Sequence, residues 1–473
     1  MIWIILILAT FLRLININQS LWLDEAINVL GAKENGFWDL ITKYAIGDFH
    51  PPGFFALLWI WEKIGGIGEI WVRLPSVIFG VLTVWVVYLL GKEMFSRKVG
   101  VLGALFLTLA PLHIYYSQEA RMYSLACLSS ALSFYSFYKL LNKDKGNWQD
   151  LGKYTLGNIL VLYSDYLVYL IFPAQFIFLI FFKRGKIKNF LFSWFISFIA
   201  FLPWAFIFPK QLAAGTYAAA LLPGWASIVG GTSFKELFLI PVKTFFGKIS
   251  LENKYLYGLV ASLVSLLYGF IILLGLKKLD QATKLLILWI VVPIGLSFTI
   301  SFFIPVLSYF RMIFILPAFY LILAKGLYTL HSRGTPWRVT LVGICLISII
   351  SLGAYYINPK FQREDWRNAV KKVEQMVGED GIVLFESPNV FSPFRYYANN
   401  IGNSQGGLVK IPVDNENDIK PIPQTNNVYL FEYLVDITDP KRLLEKKIET
   451  QGFKKIETLN FNGVGFVHHF ILQ

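Results

Sequence analysis

The chain has 473 residues, 56% of them hydrophobic, 17% aromatic and 15% charged, and its mean hydropathy is +0.55. That composition excludes a soluble globular protein, and it excludes disorder equally, because a chain this apolar has ample material to bury. The 43 Lys+Arg against 30 Asp+Glu leave a net charge of +13. From Pro359 to the end there are 14 basic and 15 acidic residues, so the excess sits on the more hydrophobic part before it, where clustered basic residues between apolar runs signal membrane topology rather than a nucleic-acid partner.

Taken in chain order, Met1–Leu12 lacks a basic n-region and a small-residue cleavage site, and reads as a retained first span rather than a signal peptide. About eleven apolar runs follow the bilayer rule of roughly 20 residues per helix, near 1–14, 72–91, 99–114, 123–141, 152–165, 167–182, 190–208, 255–276, 285–304, 308–329 and 339–357. Basic residues crowd alternate connections: Lys92, Arg97 and Lys98; Lys139, Lys143, Lys145 and Lys153; Lys183, Arg184, Lys186 and Lys188; Lys277, Lys278 and Lys284; Lys325, Arg333 and Arg338. These are the expected cytoplasmic turns, which places the N-terminus inside and the tail after Ile357 outside. Cys127 and Cys345 stand alone in apolar runs and read as small hydrophobes.

Two outer segments are too long for plain turns. In the first outer loop, residues 13–71, Pro52–Ile64 is apolar but short for a span and is expected on or in the outer interface, with Ala26–Tyr44 as a second helix flat on the membrane. The second long loop, 209–254, holds a candidate helix at Lys235–Phe246. After Ile357 the character changes. Asp365–Val377 places Trp366, Ala369, Val370, Val373 and Val377 on one helix face; Gly381–Phe385, Val428–Tyr433, Lys454–Phe461 and Val464–Leu472 read as strands, and Lys441–Thr450 as a second helix. The expected architecture is mainly α: a polytopic helical membrane bundle over residues 1–357, with a small outward-facing α/β domain over 358–473.

Almost no ionisable group is expected inside the spans, which argues against an ion- or proton-coupled transporter. The polar residues crowd the outer ends instead. Trp22-Leu23-Asp24-Glu25-Ala26 stands just outside the first span; adjacent carboxylates on a helix diverge by about 100°, so one acts while the other orients or pairs, and Asp24 also suits a plain N-cap. In His50-Pro51-Pro52-Gly53 two prolines fix an extended approach to the short apolar helix, leaving His50 open between a helix-start device and a substrate contact. Tyr115-Tyr116-Ser117-Gln118-Glu119-Ala120-Arg121-Met122-Tyr123 forms the next outer turn, where Glu119 and Arg121 fit either an interfacial ion pair or a site. Asp165, between Tyr163 and Tyr166, is a lone carboxylate at the outer edge of two helices, as compatible with a solvated turn as with function. Arg311, after Ser308-Tyr309-Phe310, either snorkels or meets a lipid phosphate.

In this order and on one face, the chain resembles the GT-C superfamily of polytopic glycosyltransferases, closest to the family 39 type that includes protein O-mannosyltransferases and lipid A aminoarabinose transferases. The resemblance is carried by Arg13…Leu21-Trp22-Leu23-Asp24-Glu25-Ala26, His50-Pro51-Pro52-Gly53, Arg73-Leu74-Pro75-Ser76 and the Tyr115–Tyr123 turn, and covers roughly residues 1–330. It implies a sugar taken from a polyprenyl-phosphate donor and passed to a glycan, lipid or protein acceptor at the outer face of the cell membrane. It also implies that Asp24 matches the first-loop catalytic aspartate, with Glu25 beside it, and that Glu119 matches the region supplying a further acidic group. Gln118-Glu119 stands where an Asp-X-Asp pair is absent, so a divalent cation (Mg or Mn), which would fall to Asp24 and Glu119, is an open requirement. Asp165 stands where many relatives carry a His-Tyr pair.

The chemistry needs a base for the acceptor and positive charge for the leaving phosphate. Asp24 is the candidate base, giving inversion in one displacement; Arg311, Arg121 and Lys63 are candidates for the phosphate, with His50, Gln118, Tyr123 and Asp165 as further substrate contacts. The rival readings are a flippase of a lipid-linked sugar, an outer-face polysaccharide polymerase, and a receptor acting through its tail. His468-His469 in the tail suggests no shared metal site, because neighbours on a strand face opposite ways.

Overall fold

The computed structural model describes the whole chain apart from residues 144–147, 222–232, 333–336, 379, 400–403, 406–407, 410–412, 414 and 416–417. Lys145 and Arg333 of the basic turns lie outside the described residues.

Each of the eleven apolar runs lies on a helix, but not each helix has the length and hydropathy of a span. Among the described residues six do: Glu69–Met94, Arg184–Ala205, Lys254–Leu276, Gln281–Ile300, Ile313–Ser332 and Trp337–Ile357. A seventh is Arg97–Leu109 with Pro111–Ser117, if that pair, bent by 63°, is one span. Pro111 makes the break, since its ring clashes with the preceding turn and it has no N–H to give. The remaining four are shorter or more polar: Ile2–Leu14, Trp148–Ser164, Tyr166–Phe182, and Tyr123–Leu141 with its five serines.

The outer faces of these helices stay apolar. Phe195, Phe198, Leu263, Leu266, Phe270 and Leu273 are all more than half exposed, the surface of a multi-pass bundle in hydrocarbon. Inside, small residues set the approach of neighbours. A Cβ on Gly326 would stand 1.9 Å from the Ile271 carbonyl oxygen, and one on Gly275 2.6 Å from that of Ile322, so two glycines let Lys254–Leu276 and Ile313–Ser332 touch backbone to backbone. The expectation of spans nearly free of ionisable groups is corrected here. Arg13, Arg73 and His113 are buried within helices near one end of the bundle, and Arg13 Nη2 lies 2.6 Å from His113 Nδ1.

The basic turns gather at a single end. Lys186 Nζ donates to the carbonyls of Leu141 and Lys143, Lys284 lies over the Phe182 ring, and Lys325 reaches Asp280, the Lys278 carbonyl and the Phe95 ring. The connections carrying Asp24, His50, Arg121, Asp165 and Arg311 leave the opposite ends of the same helices.

In the loop over residues 13–71 Gly53–Gly65 is the expected short helix, with Ile60 and Ile64 exposed. The segment expected flat on the membrane is instead Leu23–Glu34, Phe37–Thr42 and a 3-10 turn Tyr44–Gly47. The first of these is packed inside the protein, with Ala26, Asn28, Val29, Leu30 and Ala32 buried. The second long loop contains Phe234–Phe246 as expected, preceded by an additional helix, Phe208–Leu221.

After the last bundle helix ends at Ile357, the tail forms an α/β domain. Among the described residues its strands are β1 (Gly381–Phe385), β2 (Ser404–Gln405), β3 (Asn427–Phe431), β4 (Phe453–Phe461) and β5 (Gly465–Leu472). Their order is β2-β1-β3-β5-β4, with β1 parallel to β2 and β3 and the β3-β5-β4 half antiparallel. The period-2 alternation divides two cores. Val383, Phe385, Tyr429 and Phe431 face the Trp366–Val377 helix, while Ile382, Leu384, Val428 and Leu430 face Leu443–Thr450. The helix buries Trp366, Ala369, Val370 and Val373, the 3.6-residue stripe read from the sequence, although Val377 is only partly covered. β2 and the Ser392–Tyr397 helix were not legible in advance. His468 and His469 do face apart, the first toward Glu432 and the second toward Asn427.

Candidate active site

The site is assembled from four connections, each pinned by buried polar groups. Arg73, fully buried, forks onto Glu25 with Nε at 2.8 Å and Nη2 at 2.5 Å, and its remaining donors reach the carbonyls of Ile17 at 2.7 Å, Gln19 at 2.6 Å and Ser20 at 2.9 Å. One guanidinium thereby fixes both the turn leaving the first helix and the start of Leu23–Glu34. Glu25 also accepts the Ala120 N–H at 2.8 Å, and Asn28, one turn on, donates to the Ala120 carbonyl at 3.3 Å. Burial pushes the Glu25 carboxyl up, but Arg73 outweighs it and holds the group below its ordinary value.

Asp24, on the neighbouring face, is turned the other way with 28% of its side chain exposed. The N-cap position belongs to Trp22, so the plain-cap reading of Asp24 does not hold. Its Oδ2 lies 3.6 Å from Arg121 Nη2. Arg121 is buried and central: Nη1 donates to Asn28 Oδ1 at 3.1 Å and lies 3.5 Å from Asp48 Oδ2, while Nη2 is 3.4 Å from His50 Nδ1. Burial opposes its charge, and Asp24 and Asp48 more than restore it.

Asp48 completes the group. Its Oδ1 lies 2.6 Å from His50 Nδ1, and His50 Nε2 lies 3.6 Å from Asp165 Oδ2. Burial would raise the Asp48 carboxyl, but His50 and then Arg121 pull it down to about 2. Gln211, on the unforeseen helix Phe208–Leu221, holds this loop by turning its amide to the carbonyls of Ala45, Asp48 and His50. Gly53 permits the approach, since a Cβ there would stand 2.3 Å from the Tyr163 carbonyl oxygen and hold His50 away from Asp165. Asp165 itself caps the next turn, accepting from Leu167 N at 2.8 Å.

The structure thus brings together Asp24, His50, Arg121 and Asp165. Tyr123 adjoins them, and Phe310, which packs on both Tyr116 and Tyr123, sets Arg311 beside that edge, where its Nη1 donates to the Pro305 carbonyl at 3.0 Å. Three expected contacts serve elsewhere. Gln118 is spent tying helices, its amide donating to the carbonyls of Arg13 and Ile15 and accepting from Tyr355. Glu119 is fully buried and paired with Arg363 at 2.8 Å; burial, the largest influence, keeps its carboxyl above the ordinary value despite that guanidinium. Lys63 lies exposed over Trp59 at the far end of its helix.

Sequence reasoning missed Asp48, although it stands two residues before His50. Arg73 lay inside a quoted motif without a role, and Arg363 and Glu364 lay in the tail, outside the region of resemblance. Between bundle and tail lies a cleft of about 320 Å³ bounded by Trp22, Tyr115, Lys248, Lys360, Arg363 and Glu364. Lys248 Nζ lies 4.7 Å from the centre of the Tyr115 ring, and Arg363 stacks on the same ring at 3.7 Å. Among the described residues no three His, Cys, Asp or Glu side chains come together as metal ligands, and Glu119 is turned to Arg363 rather than to Asp24. Asp24 and Glu119, the two carboxylates to which a divalent cation would fall, therefore do not face one another.

Residues 49–208, which contain the His50, Arg121 and Asp165 connections, match the family model described as dolichyl-phosphate-mannose-protein mannosyltransferase. The whole chain is similar in fold to ArnT from Cupriavidus metallidurans bound to undecaprenyl phosphate, with a TM-score of 0.56 at 9% identity, covering 99% of this chain and 97% of that one. It is similar also to the Archaeoglobus fulgidus oligosaccharyltransferase in complex with Zn and sulfate, with a TM-score of 0.53 at 12% identity over 98% of this chain and 72% of that one. The archaeal oligosaccharyltransferase AglB from Archaeoglobus fulgidus, in complex with an inhibitory peptide and a dolichol-phosphate, gives a TM-score of 0.51 at 11% identity over 98% and 74%. None of the curated protein sequences matches the chain. The family model thus covers about a third of the chain, and the structural likeness extends the same fold over nearly all of it. The matched segment is similar to the mannosyltransferase family that the motifs resemble.

Proposed function

We propose that the protein transfers a sugar from a polyprenyl-phosphate donor to a glycan, lipid or protein acceptor at the extracytoplasmic face of the cell membrane. The observation that carries this reading is the disposition of Asp24: a partly exposed carboxylate held over a buried Arg121–Asp48–His50–Asp165 network, at the end of the bundle opposite the basic turns. Basic turns mark the cytoplasmic side, so this end faces outward. The ArnT and AglB structures were solved with undecaprenyl phosphate and with dolichol-phosphate, which supports a donor of that class.

In the reaction the acceptor oxygen or nitrogen attacks the anomeric carbon and gives its proton to Asp24. The bond from that carbon to the phosphate oxygen breaks, and its electron pair leaves with polyprenyl phosphate. A single displacement inverts the anomeric centre. The growing charge on the phosphate needs cations that the network has not already neutralised. Arg121 is surrounded by Asp24 and Asp48, so the role falls to Lys248 in the cleft and to Arg311 beside Phe310.

Asp24→Asn is expected to keep its fold and its polyprenyl-phosphate binding while losing about 10² or more in turnover. Purified protein with a defined polyprenyl-phosphate sugar is the assay. Near-normal turnover removes Asp24 from the role, and relocation of the sugar-lipid across a vesicle without release of polyprenyl phosphate makes the protein a flippase.

A further inference from the structure

The linker between bundle and tail turns two adjacent side chains into the cleft in opposite senses. Arg363, 6% exposed, crosses the interface to Glu119, to the Tyr115 carbonyl at 3.0 Å and to the Tyr115 ring. Glu364 stays on the tail side, where its carboxylate accepts from Tyr433 Oη at 3.0 Å on each oxygen and from Trp366 Nε1 at 2.8 Å. The same carboxylate faces the backbone N–H of Leu23 and the charge of Asp24. Leu23 in turn packs against the tail's Trp366 core. The residue before the candidate base is therefore seated on the soluble domain, and the soluble domain's own carboxyl closes the cleft beside it.

We propose that Glu364 is a positioning residue of the transfer site, so that the extramembrane domain is a working part of the active site rather than a brace. This rests on the reading of Asp24 as the base. Glu364 holds the first turn of Leu23–Glu34 through Leu23, and its charge state sets the field where the acceptor's proton is received. The groups that face it are Asp24 from the first outer loop, Tyr433 from the end of β3, Tyr115 from the bundle, and Arg363, Lys248 and Lys360 around the cleft. Burial raises the Glu364 carboxyl to about 7, against the hydrogen bonds from Trp366 and Tyr433 and with help from Asp24. The group therefore changes charge near neutrality. Above that pH it adds negative charge beside Asp24, which favours proton uptake from the acceptor, and turnover rises through pH 7.

The test uses the full-length protein in detergent with a polyprenyl-phosphate sugar, measuring kcat from pH 5.5 to 8.5 for wild type, Glu364→Gln and Asp24→Asn, together with the melting temperature of each. Glutamine retains an oxygen for Tyr433 or Trp366 but cannot titrate. Wild type is expected to show a step near pH 7; Glu364→Gln is expected to match it at pH 5.5, to lose the step, and to fall about tenfold behind at pH 8.5. A Glu364→Gln profile that superimposes on wild type overturns the proposal, as does a uniform loss at every pH accompanied by a lowered melting temperature, which is what a merely structural latch would give. If Asp24→Asn is fully active, it is the parent reading that fails, whatever Glu364→Gln does.

Discussion

The Arg73–Glu25 pair makes the sharpest test of how the site is built, because the two carboxylates beside each other in the sequence are assigned opposite duties. Arg73→Met leaves Glu25 in a fully buried position with no countercharge, a loss of about 3–5 kcal/mol. It also strips donors from the carbonyls of Ile17, Gln19 and Ser20. Glu25→Met leaves a buried guanidinium that retains those three carbonyls, so its cost belongs at the lower end of the same range. The double variant replaces the ion pair by apolar side chains of similar reach, a change that is often close to neutral. The cycle is therefore expected to show a coupling of about 2 kcal/mol or more, far outside additivity.

Denaturant titration in detergent micelles, followed by the fluorescence of the 14 tryptophans, measures the three variants against wild type. The two single variants should lose a large share of a stability that is only about 5–15 kcal/mol to begin with. Turnover should fall only as the folded fraction falls. Single variants within about 1 kcal/mol of wild type, or a Glu25 variant that is stable and inactive, would refute the assignment and return Glu25 to the chemistry.

Asp48→Asn tests the buried network by pH. The folded carboxyl titrates at about 2 against an ordinary 3.8, so its contribution is fully present above pH 4 and is lost as the pH falls through 2. The shift corresponds to about 2 kcal/mol, and the variant should be weaker by that amount at neutral pH with a flatter acid limb; parallel acid limbs for the two proteins would contradict it. Gly326→Ala should prise apart Lys254–Leu276 and Ile313–Ser332, because the new Cβ meets the Ile271 carbonyl; a drop of several degrees in the melting temperature is expected, and an unchanged melt would show that the helices do not cross there.

What was legible in the sequence followed from composition and period. Apolar runs gave helices, basic turns gave the common end at which Lys186, Lys284 and Lys325 meet their neighbours, and the amphipathic stripe of Trp366–Val377 gave the tail helix and its buried face. Hydropathy does not distinguish a straight helix from one that Pro111 bends, nor a membrane-lying amphipathic helix from Leu23–Glu34, whose polar groups Glu25 and Asn28 are buried against another turn. The candidate site was legible where a motif carried its own reason, as with His50 and its prolines. It was illegible where a partner came from far along the chain: Arg363 reaches Glu119 across more than 240 positions, and Gln211 reaches the Ala45–His50 loop across more than 160.

The charge placement follows a single rule imposed by local geometry. Two adjacent residues on a helix start or an extended linker cannot face the same way, so each motif divides its pair: Glu25 turns behind to Arg73 with Asp24 in front beside Arg121, and Arg363 turns behind to Glu119 with Glu364 in front on Tyr433 and Trp366. The groups behind neutralise one another in dry surroundings, Arg73 with Glu25 and Arg363 with Glu119, so they can be rigid without demanding water. Asp24, in front, meets Arg121 on one side only, and 28% of its side chain stays exposed. A carboxylate in that position keeps a free face for a proton, and the scaffold pairs fix where that face points. Moving the charge of either pair should therefore cost folding before it costs chemistry, whereas removing Asp24 or Glu364 should cost chemistry first.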